Sequence, residues 1–252
     1  MSEQAPPFPR DLATTHNRIL EDESPPLAAA GEQLASRRQV TDRNRRIISL
    51  VVASLGLVLL APLMVVISVL VLLTSGRPVM YSQPRIGIDR RYSGAKLIRA
   101  KNRHVNLGGR PFAIYKFRTM RDDPTARKAI WTAENNPRIT SFGRFLRLAR
   151  LDELPQLFNV LRGEMNVVGP RPEQPGIFSR LRTRIDGYED RQIVLPGITG
   201  WAQVSHHYDA TIDDVRRKLS LDLEYIRRRS VAEDLRIMAK TIPVMIGRIG
   251  SR

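Results

Sequence analysis

The sequence predicts a helix-rich α+β protein of the monotopic membrane class, with a re-entrant helix-break-helix, interfacial amphipathic helices and a small cytosolic sheet. Three observations lead there. Residues 47–74 carry no charged side chain. A proline, Pro62, sits near the middle of that run, with arginines on both of its flanks. Beyond it come two short segments of strand character and several stretches with helical spacing.

The membrane segment is the clearest element. From Ile48 to Leu73 it reads ISLVVASLGLVLLAPLMVVISVLVLL, 26 residues without a charge, where a spanning helix needs about 20. It is too long for the apolar core of a cleavable signal and too far from the N-terminus, so it is expected to stay in the mature protein. Pro62 deletes a backbone donor and crowds the preceding turn. A kinked straight crossing would accommodate that. The flanks favour another answer: Arg37, Arg38, Arg43, Arg45 and Arg46 precede the segment and Arg77, Arg85, Arg90 and Arg91 follow it, so the positive-inside rule asks both ends to face the cytoplasm. A helix that enters and leaves on one side meets both demands. Each half, about 11 to 14 residues at about 1.5 Å per residue, is too short to cross about 30 Å of hydrocarbon alone.

Three regions follow: 1–46, a disordered cytosolic tail and basic flank; 47–74, the re-entrant helix; 75–252, a cytosolic catalytic domain with membrane-surface helices. The tail is rich in proline and poor in large apolar residues (APPFP, EDESPPLAAAGE). Residues 1–46 hold seven basic and seven acidic side chains, so the formal net charge of +16 arises entirely after residue 74. Such an excess points to an anionic partner: substrate phosphates, a membrane surface or nucleic acid. The absence of cysteine excludes disulfides, thiolate metal sites and thiol catalysis.

RPVMYSQPRIGI and RPFAIYKFRTM read as short strands, the second placing Phe112, Ile114 and Lys116 on one face and Ala113, Tyr115 and Phe117 on the other. In TSFGRFLRLARL, Phe142, Phe145, Leu146 and Ala149 recur at helical spacing, with Arg144, Arg147 and Arg150 on another face; such a helix packs on the core or lies on an anionic bilayer. TIDDVRRKLSLDLEYIRRR aligns Val215, Leu219, Leu223 and Ile226, and SVAEDLRIMAKTIPVMI opens with Ser230 and Glu233 in capping-box positions.

The chemistry concentrates in RLDELPQLFNVLRGEMNVVGPRPE. Asp152 and Glu153 admit two readings. They can be capping carboxylates of a helix whose first turn holds Pro155. Alternatively, an ionised Asp beside arginines and a helix N-terminus can attack phosphorus, while its neighbour holds a divalent ion such as Mg²⁺. Arg171, between two prolines, is stiffly mounted and suited either to gripping a phosphate or to a loop salt bridge. Together these residues suit transfer of a phosphoryl-linked group beside a membrane.

These motifs, with YKFRTM, NPRITSFGRFLR, LPGITGWAQV and LDLEYIRRRSVAEDLRIM, resemble the bacterial polyprenyl-phosphate sugar-1-phosphate transferases, the monotopic phosphoglycosyl transferases, from about residue 45 to 245. The resemblance implies that Asp152 attacks the sugar-bearing phosphate of a nucleotide diphosphate sugar, usually a UDP-sugar, releasing UMP and leaving a phosphosugar on the enzyme. Polyprenyl phosphate then takes it up. By the same resemblance Glu153, with Asp152, binds Mg²⁺, and Arg171, Arg147, Lys116 and Arg118 hold phosphates. The expected location is the bacterial inner membrane, with the site on the cytoplasmic face. Membrane lipid is a partner, nucleic acid is not, and a homodimer is compatible with the reading. The chain departs from the family pattern at Ala61, where serine commonly precedes the proline, at an insertion over 89–107, and at SHHYD, where the usual basic contact is absent and His206 and His207 are either its substitutes when protonated or plain loop residues. The alternative function is a catalytically silent scaffold binding anionic lipid.

Overall fold

The computed structural model describes residues 27–89, 109–121, 136–205 and 211–250, with side chains between 39 and 245. The tail 1–26, His206, His207 and all of the expected insertion except Asp89 lie outside the described residues. The chain groups into two units, 1–41 and 42–252; the described part of the first is helical.

Helix α1, Leu27–Ser75, takes in the basic flank as well as the apolar run. It also continues through Pro62. The proline costs the helix one internal hydrogen bond, and the expected break is therefore not an interruption of helical backbone. Turns on both sides of it are anchored. Ala53 is buried with Leu157 and Val160, whereas Ile67 and Val71 are buried with Phe117 and Leu146. The flanking arginines become structural: Arg46 donates to Val160 O (2.5 Å) and Met165 O (2.7 Å), and buried Arg45 pairs with Asp234 (2.9 Å) and Tyr225. Elsewhere α1 leaves Val58, Leu59, Val65 and Leu73 exposed. Gln39–Ser75 is long and apolar enough to enter a membrane, and the chain is membrane-associated.

Strands β1 (Met80–Ile86) and β2 (Pro111–Phe117) pair antiparallel, from Met80 opposite Phe117 to Ile86 opposite Pro111. Phe112 and Ile114 are buried and Ala113 is exposed, as the alternation predicts. The pattern fails at the strand's end, where Phe117 is buried against α1 from the face opposite Lys116. A second pair, β3 (Asn166–Val168) and β4 (Gly197–Thr199), is parallel. Parallel neighbours need a long crossover; here it carries α4, Pro175–Arg182, and a 3₁₀ segment, Tyr188–Ile193. The motifs NVVGPRP and LPGITG meet at this pair. A methyl placed on Gly169 would stand 2.5 Å from Leu195 O, and one on Gly197 would stand 2.1 Å from Gly169 N. Only glycines permit that approach of backbones.

The remaining helices close over these strands. Thr140 caps α2, Ser141–Leu148, by accepting from Gly143 N (2.9 Å). Its Leu146 and the following Ala149 are buried, but Phe145, expected on the same face, is 50% exposed and stacks beside Phe142. After α3 (Gln156–Leu161) and α5 (Trp201–Ser205) comes α6, Ile212–Arg228, with Val215, Leu219 and Ile226 buried as predicted. Its Thr211–Asp214 capping box carried no expectation. Helix α7, Val231–Gly250, starts where Ser230 Oγ accepts from Glu233 N (3.1 Å), half of the expected box.

Candidate active site

The acid pair lies on a 3₁₀ turn, Leu151–Glu153, between α2 and α3. Arg150 enters the turn with φ 58°, a left-handed conformation unfavourable for a side chain of its size. That residue ends α2 and reverses the chain, so both carboxylates face inward: Asp152 is 7% and Glu153 6% exposed. Beneath them β2 delivers Lys116. The loop after β3, held against residues 195–197 by the two glycines, delivers Arg171.

The cations divide unequally between the two acids. Lys116 Nζ and Arg171 Nη2 each lie 2.7 Å from Glu153 Oε1, Arg171 Nη1 lies 3.3 Å from Oε2, and Arg150 Nη1 lies 3.5 Å from Oε1. Asp152 Oδ2 has Lys116 at 4.0 Å. Among the described residues no hydrogen bond reaches its carboxylate. Burial raises both carboxyls; on Glu153 this is outweighed by Arg171, Lys116 and Arg150, which hold it well below the usual carboxylate range. On Asp152 burial dominates, Glu153 adds repulsion, and the carboxyl titrates above its ordinary value. Burial likewise pushes Lys116 down, against the pull of Glu153.

The arrangement thus separates an anion held by three cations from one that no hydrogen bond engages among the described residues. Glu153 is a fixed counter-charge for three cations, whereas Asp152 keeps lone pairs uncommitted in a dry position. A carboxylate in that state suits nucleophilic attack on an electrophile brought in by the neighbouring cations.

Of the four basic residues expected at phosphates, Lys116 and Arg171 meet the acid pair directly. Arg118 is buried with Nε on Met120 O (3.0 Å) and Nη1 on Arg77 O (2.6 Å), which ties the end of β2 to the chain after α1. Arg147, one turn before Arg150, has its Nη1 buried without a hydrogen-bond partner. Sequence reasoning missed two contributors. Arg150 looked like one residue of a basic helix face. Arg85 was read only as a flanking charge, yet it is half-buried beside Arg171, donating to Pro172 O (2.9 Å) and Gln83 Oε1 (3.0 Å), its own charge disfavoured by desolvation and by Arg171. The meeting of β1 with the 171–173 loop, through Ile86 N and Glu173 O (2.9 Å), has no local signal in the sequence.

Behind Arg171 lies a second ionic layer. Arg191 donates to Arg171 O (2.9 Å) and pairs with Glu173 (3.2 Å) and Asp222 (2.7 Å), and Lys218 reaches Glu173 at 3.1 Å. Burial would raise the Glu173 carboxyl, but Lys218, Arg191 and Arg85 hold it down to about 2.

Comparison with known proteins places the chain among relatives of one family. The chain is 38% identical over 208 residues to the UDP-N-acetylgalactosamine-undecaprenyl-phosphate N-acetylgalactosaminephosphotransferase of Aeromonas hydrophila, covering 82% of this chain and 45% of that protein. It is 36% identical over 200 residues to the UDP-glucose:undecaprenyl-phosphate glucose-1-phosphate transferase of Escherichia coli, covering 79% and 39%. A protein of the same name from Caulobacter vibrioides is 35% identical over 214 residues, covering 83% and 72%. The chain thus spans less than half the length of the first two relatives. The family profile for bacterial sugar transferases matches residues 40–248, which takes in α1 from residue 40 onward, the acid pair and the Arg171 loop: the chain belongs to the bacterial sugar transferase family.

Proposed function

We propose that this protein is a phosphoglycosyl transferase that moves a sugar-1-phosphate from a nucleotide diphosphate sugar, a UDP-sugar, to polyprenyl phosphate of the undecaprenyl type. The carboxylate of Asp152 attacks the sugar-bearing phosphorus, and the bond to the nucleotide phosphate breaks, so that UMP leaves with the electron pair. An oxygen of polyprenyl phosphate then attacks the aspartyl phosphosugar, the Asp152 carboxylate leaves, and polyprenyl-diphosphate-sugar is formed. Such a product would begin assembly of a bacterial glycan. The observation that carries this reading is the division of labour in the acid pair: one buried carboxylate fully neutralised, the other left without a hydrogen bond among fixed cations.

Lys116, Arg150 and Arg171 meet the acid pair and Arg85 lies beside Arg171, so a diphosphate would lie among these four cations. Fixed cations of this kind offset charge that spreads over a transferring phosphoryl group without reorganising. Glu153 is already engaged by Lys116, Arg171 and Arg150, so a Mg²⁺ ion, which takes one or two carboxylates and completes its shell with water and substrate phosphate, would be held by Asp152, with Glu153 Oε2 joining where Arg171 Nη1, 3.3 Å from it, gives way. When bound it would neutralise substrate charge.

The same reading places the protein at the bacterial inner membrane, with α1 re-entrant and the site on the cytoplasmic face. Packing on both sides of Pro62 supports it. Ala53 and Val71 both seat on the body that holds the active site, whereas a straight crossing would carry the two ends of the apolar run to opposite faces of a bilayer about 30 Å thick.

The deciding experiment mixes the detergent-solubilised protein with Mg²⁺, polyprenyl phosphate and a panel of UDP-sugars, and identifies the nucleotide released. UMP from one donor is expected. Release of UDP would mean ordinary glycosyl transfer and would overturn the mechanism, and no release from any donor would favour a silent lipid-binding scaffold.

A further inference from the structure

Arg46 lies just ahead of the apolar run of α1, and the reaction described above gives it no task. A flanking charge needs only to be solvated. Arg46 is instead half-buried under the turn that joins α3 to β3. Its Nη2 donates to Val160 O (2.5 Å), one of the last carbonyls of α3, and its Nη1 donates to Met165 O (2.7 Å) and Asn166 Oδ1 (3.2 Å) at the head of β3. Gly163 closes that turn with φ 80°, and a methyl added to it would stand 3.8 Å from Arg46 Nη2. One turn further along α1, buried Ser49 Oγ accepts from Val167 N (3.3 Å).

These contacts complete an open strand edge. Among the described residues β3 pairs with β4 alone, and Asn166 N donates to Pro196 O (2.8 Å) on that side. Successive residues of a strand turn their backbone groups to opposite edges, so Met165 O and Val167 N face away from β4, where side chains of α1 meet them. The two segments that Arg46 grips end at different halves of the site. Helix α3 leads back to the turn carrying Asp152 and Glu153, and β3 leads on to Gly169 and Arg171. We propose that Arg46, assisted by Ser49, is a positioning residue of the transferase: working from the membrane helix, it fixes the spacing between the acid pair and Arg171 and touches no substrate. The proposal rests on the transferase reading. A planar guanidinium fork spans acceptors on two segments at once, which the compact ammonium of a lysine does not. A rate that depends on such a brace is sensitive to it, because misplacement by about 1 Å can cost on the order of 10²-fold.

Arg46→Lys keeps the flanking charge and removes the fork, so it separates the two roles. With folded protein matched, kcat for UMP release should fall by on the order of tenfold or more while the donor KM stays within about twofold, the pattern of an arrangement needed in the transition state. A parent-like kcat with lowered stability would make Arg46 a structural residue, and parent-like behaviour in both respects would return it to a flanking charge; either overturns the proposal. If Arg46→Lys does not fold, Ser49→Ala decides: it removes only the acceptor of Val167 N, and kcat should fall severalfold, whereas an unchanged kcat would refute the brace. A measurement without turnover separates failure of the brace from failure of the transferase reading. Denaturant midpoints are compared for Arg46→Lys, Glu153→Gln and the double variant. Substitutions with no shared partner add; if Arg46 holds Arg171 on Glu153, the double variant should unfold near the midpoint of the weaker single variant, and full additivity would overturn the assignment. Coupling in a protein that releases UMP from no donor would leave the brace standing and remove the transferase reading.

Discussion

Lys116 and Arg171 both end 2.7 Å from Glu153 Oε1, whereas Asp152 has one cation at 4.0 Å, so the two adjacent acids should answer mutation in opposite ways. Asp152→Asn preserves shape and removes a carboxylate whose ionised form burial opposes. The variant is expected to lose UMP release by on the order of 10³-fold or more, as loss of a nucleophile does, with thermal stability equal to or above that of the parent. Glu153→Gln leaves Lys116 and Arg171 facing a neutral amide. Breaking one partner out of such a buried cluster costs on the order of 3 kcal/mol, which a denaturant titration in detergent would register. Equal destabilisation by both substitutions would make Asp152 a structural residue and remove the basis for the covalent step. The pairing of these acids was readable from sequence as chemistry or capping, but which of them would capture the arginines was not. That depends on Arg150 adopting φ 58° and on Arg171 arriving from another part of the chain.

At the scale of elements, β2 is completed by a side chain. Buried Asn159 on α3 accepts from Tyr115 N (3.1 Å) and donates to Ala113 O (2.7 Å) and Glu164 Oε2 (2.7 Å), so it imitates a third strand on the open edge of a two-stranded sheet. Asn159→Leu would orphan those backbone groups at a cost of about 2–3 kcal/mol, and the change should appear as faster amide exchange at Tyr115. Unaltered exchange there would show that water replaces the amide. Helix α1 carries a separable prediction: single cysteines at Ser36 and Ser75, in a chain with no native thiol, should both be labelled from the cytoplasmic side of inverted and right-side-out vesicles. Labelling from opposite sides would replace the re-entrant topology with a crossing. Elements of this kind were legible in proportion to their length. The apolar run, β1, β2 and α6 carry enough residues for a period to show. Strands β3 and β4 have three residues each and carry no period, and their pairing rests on the Gly169–Gly197 contact across the crossover. Phe145 lies off the core face because burial of α2 is confined to the side on which Leu146 meets Ile67 and Val71 of α1 and Phe117 of β2.

For the whole molecule, the excess of positive charge is not spread evenly as a solvated surface; part of it is folded inward and neutralised. Glu173 is the centre of that arrangement: its carbonyl accepts from β1, its carboxylate from Lys218 on α6 and from Arg191, and Arg191 in turn holds the backbone of Arg171. The active-site loop is therefore fastened to two elements by one ionised group. The folded carboxyl sits at about 2 against 4.5 for the free side chain, so its contribution is fully present above pH 4.5 and disappears as the pH falls toward 2. A difference of that size corresponds to on the order of 3 kcal/mol. Asp222 runs the other way. Burial raises its carboxyl despite Arg191, so its contribution is largest in acid and is lost as the pH rises through its folded value, and the raw acid-unfolding curve mixes the two signs. Comparison with Glu173→Gln isolates the first. Unfolding free energies of the two proteins should differ by on the order of 3 kcal/mol at neutral pH, and the gap should close between pH 4.5 and pH 2. A gap that stayed constant across that window would mean that Glu173 acts through packing, and that the loop bearing Arg171 is held by the glycine contact alone.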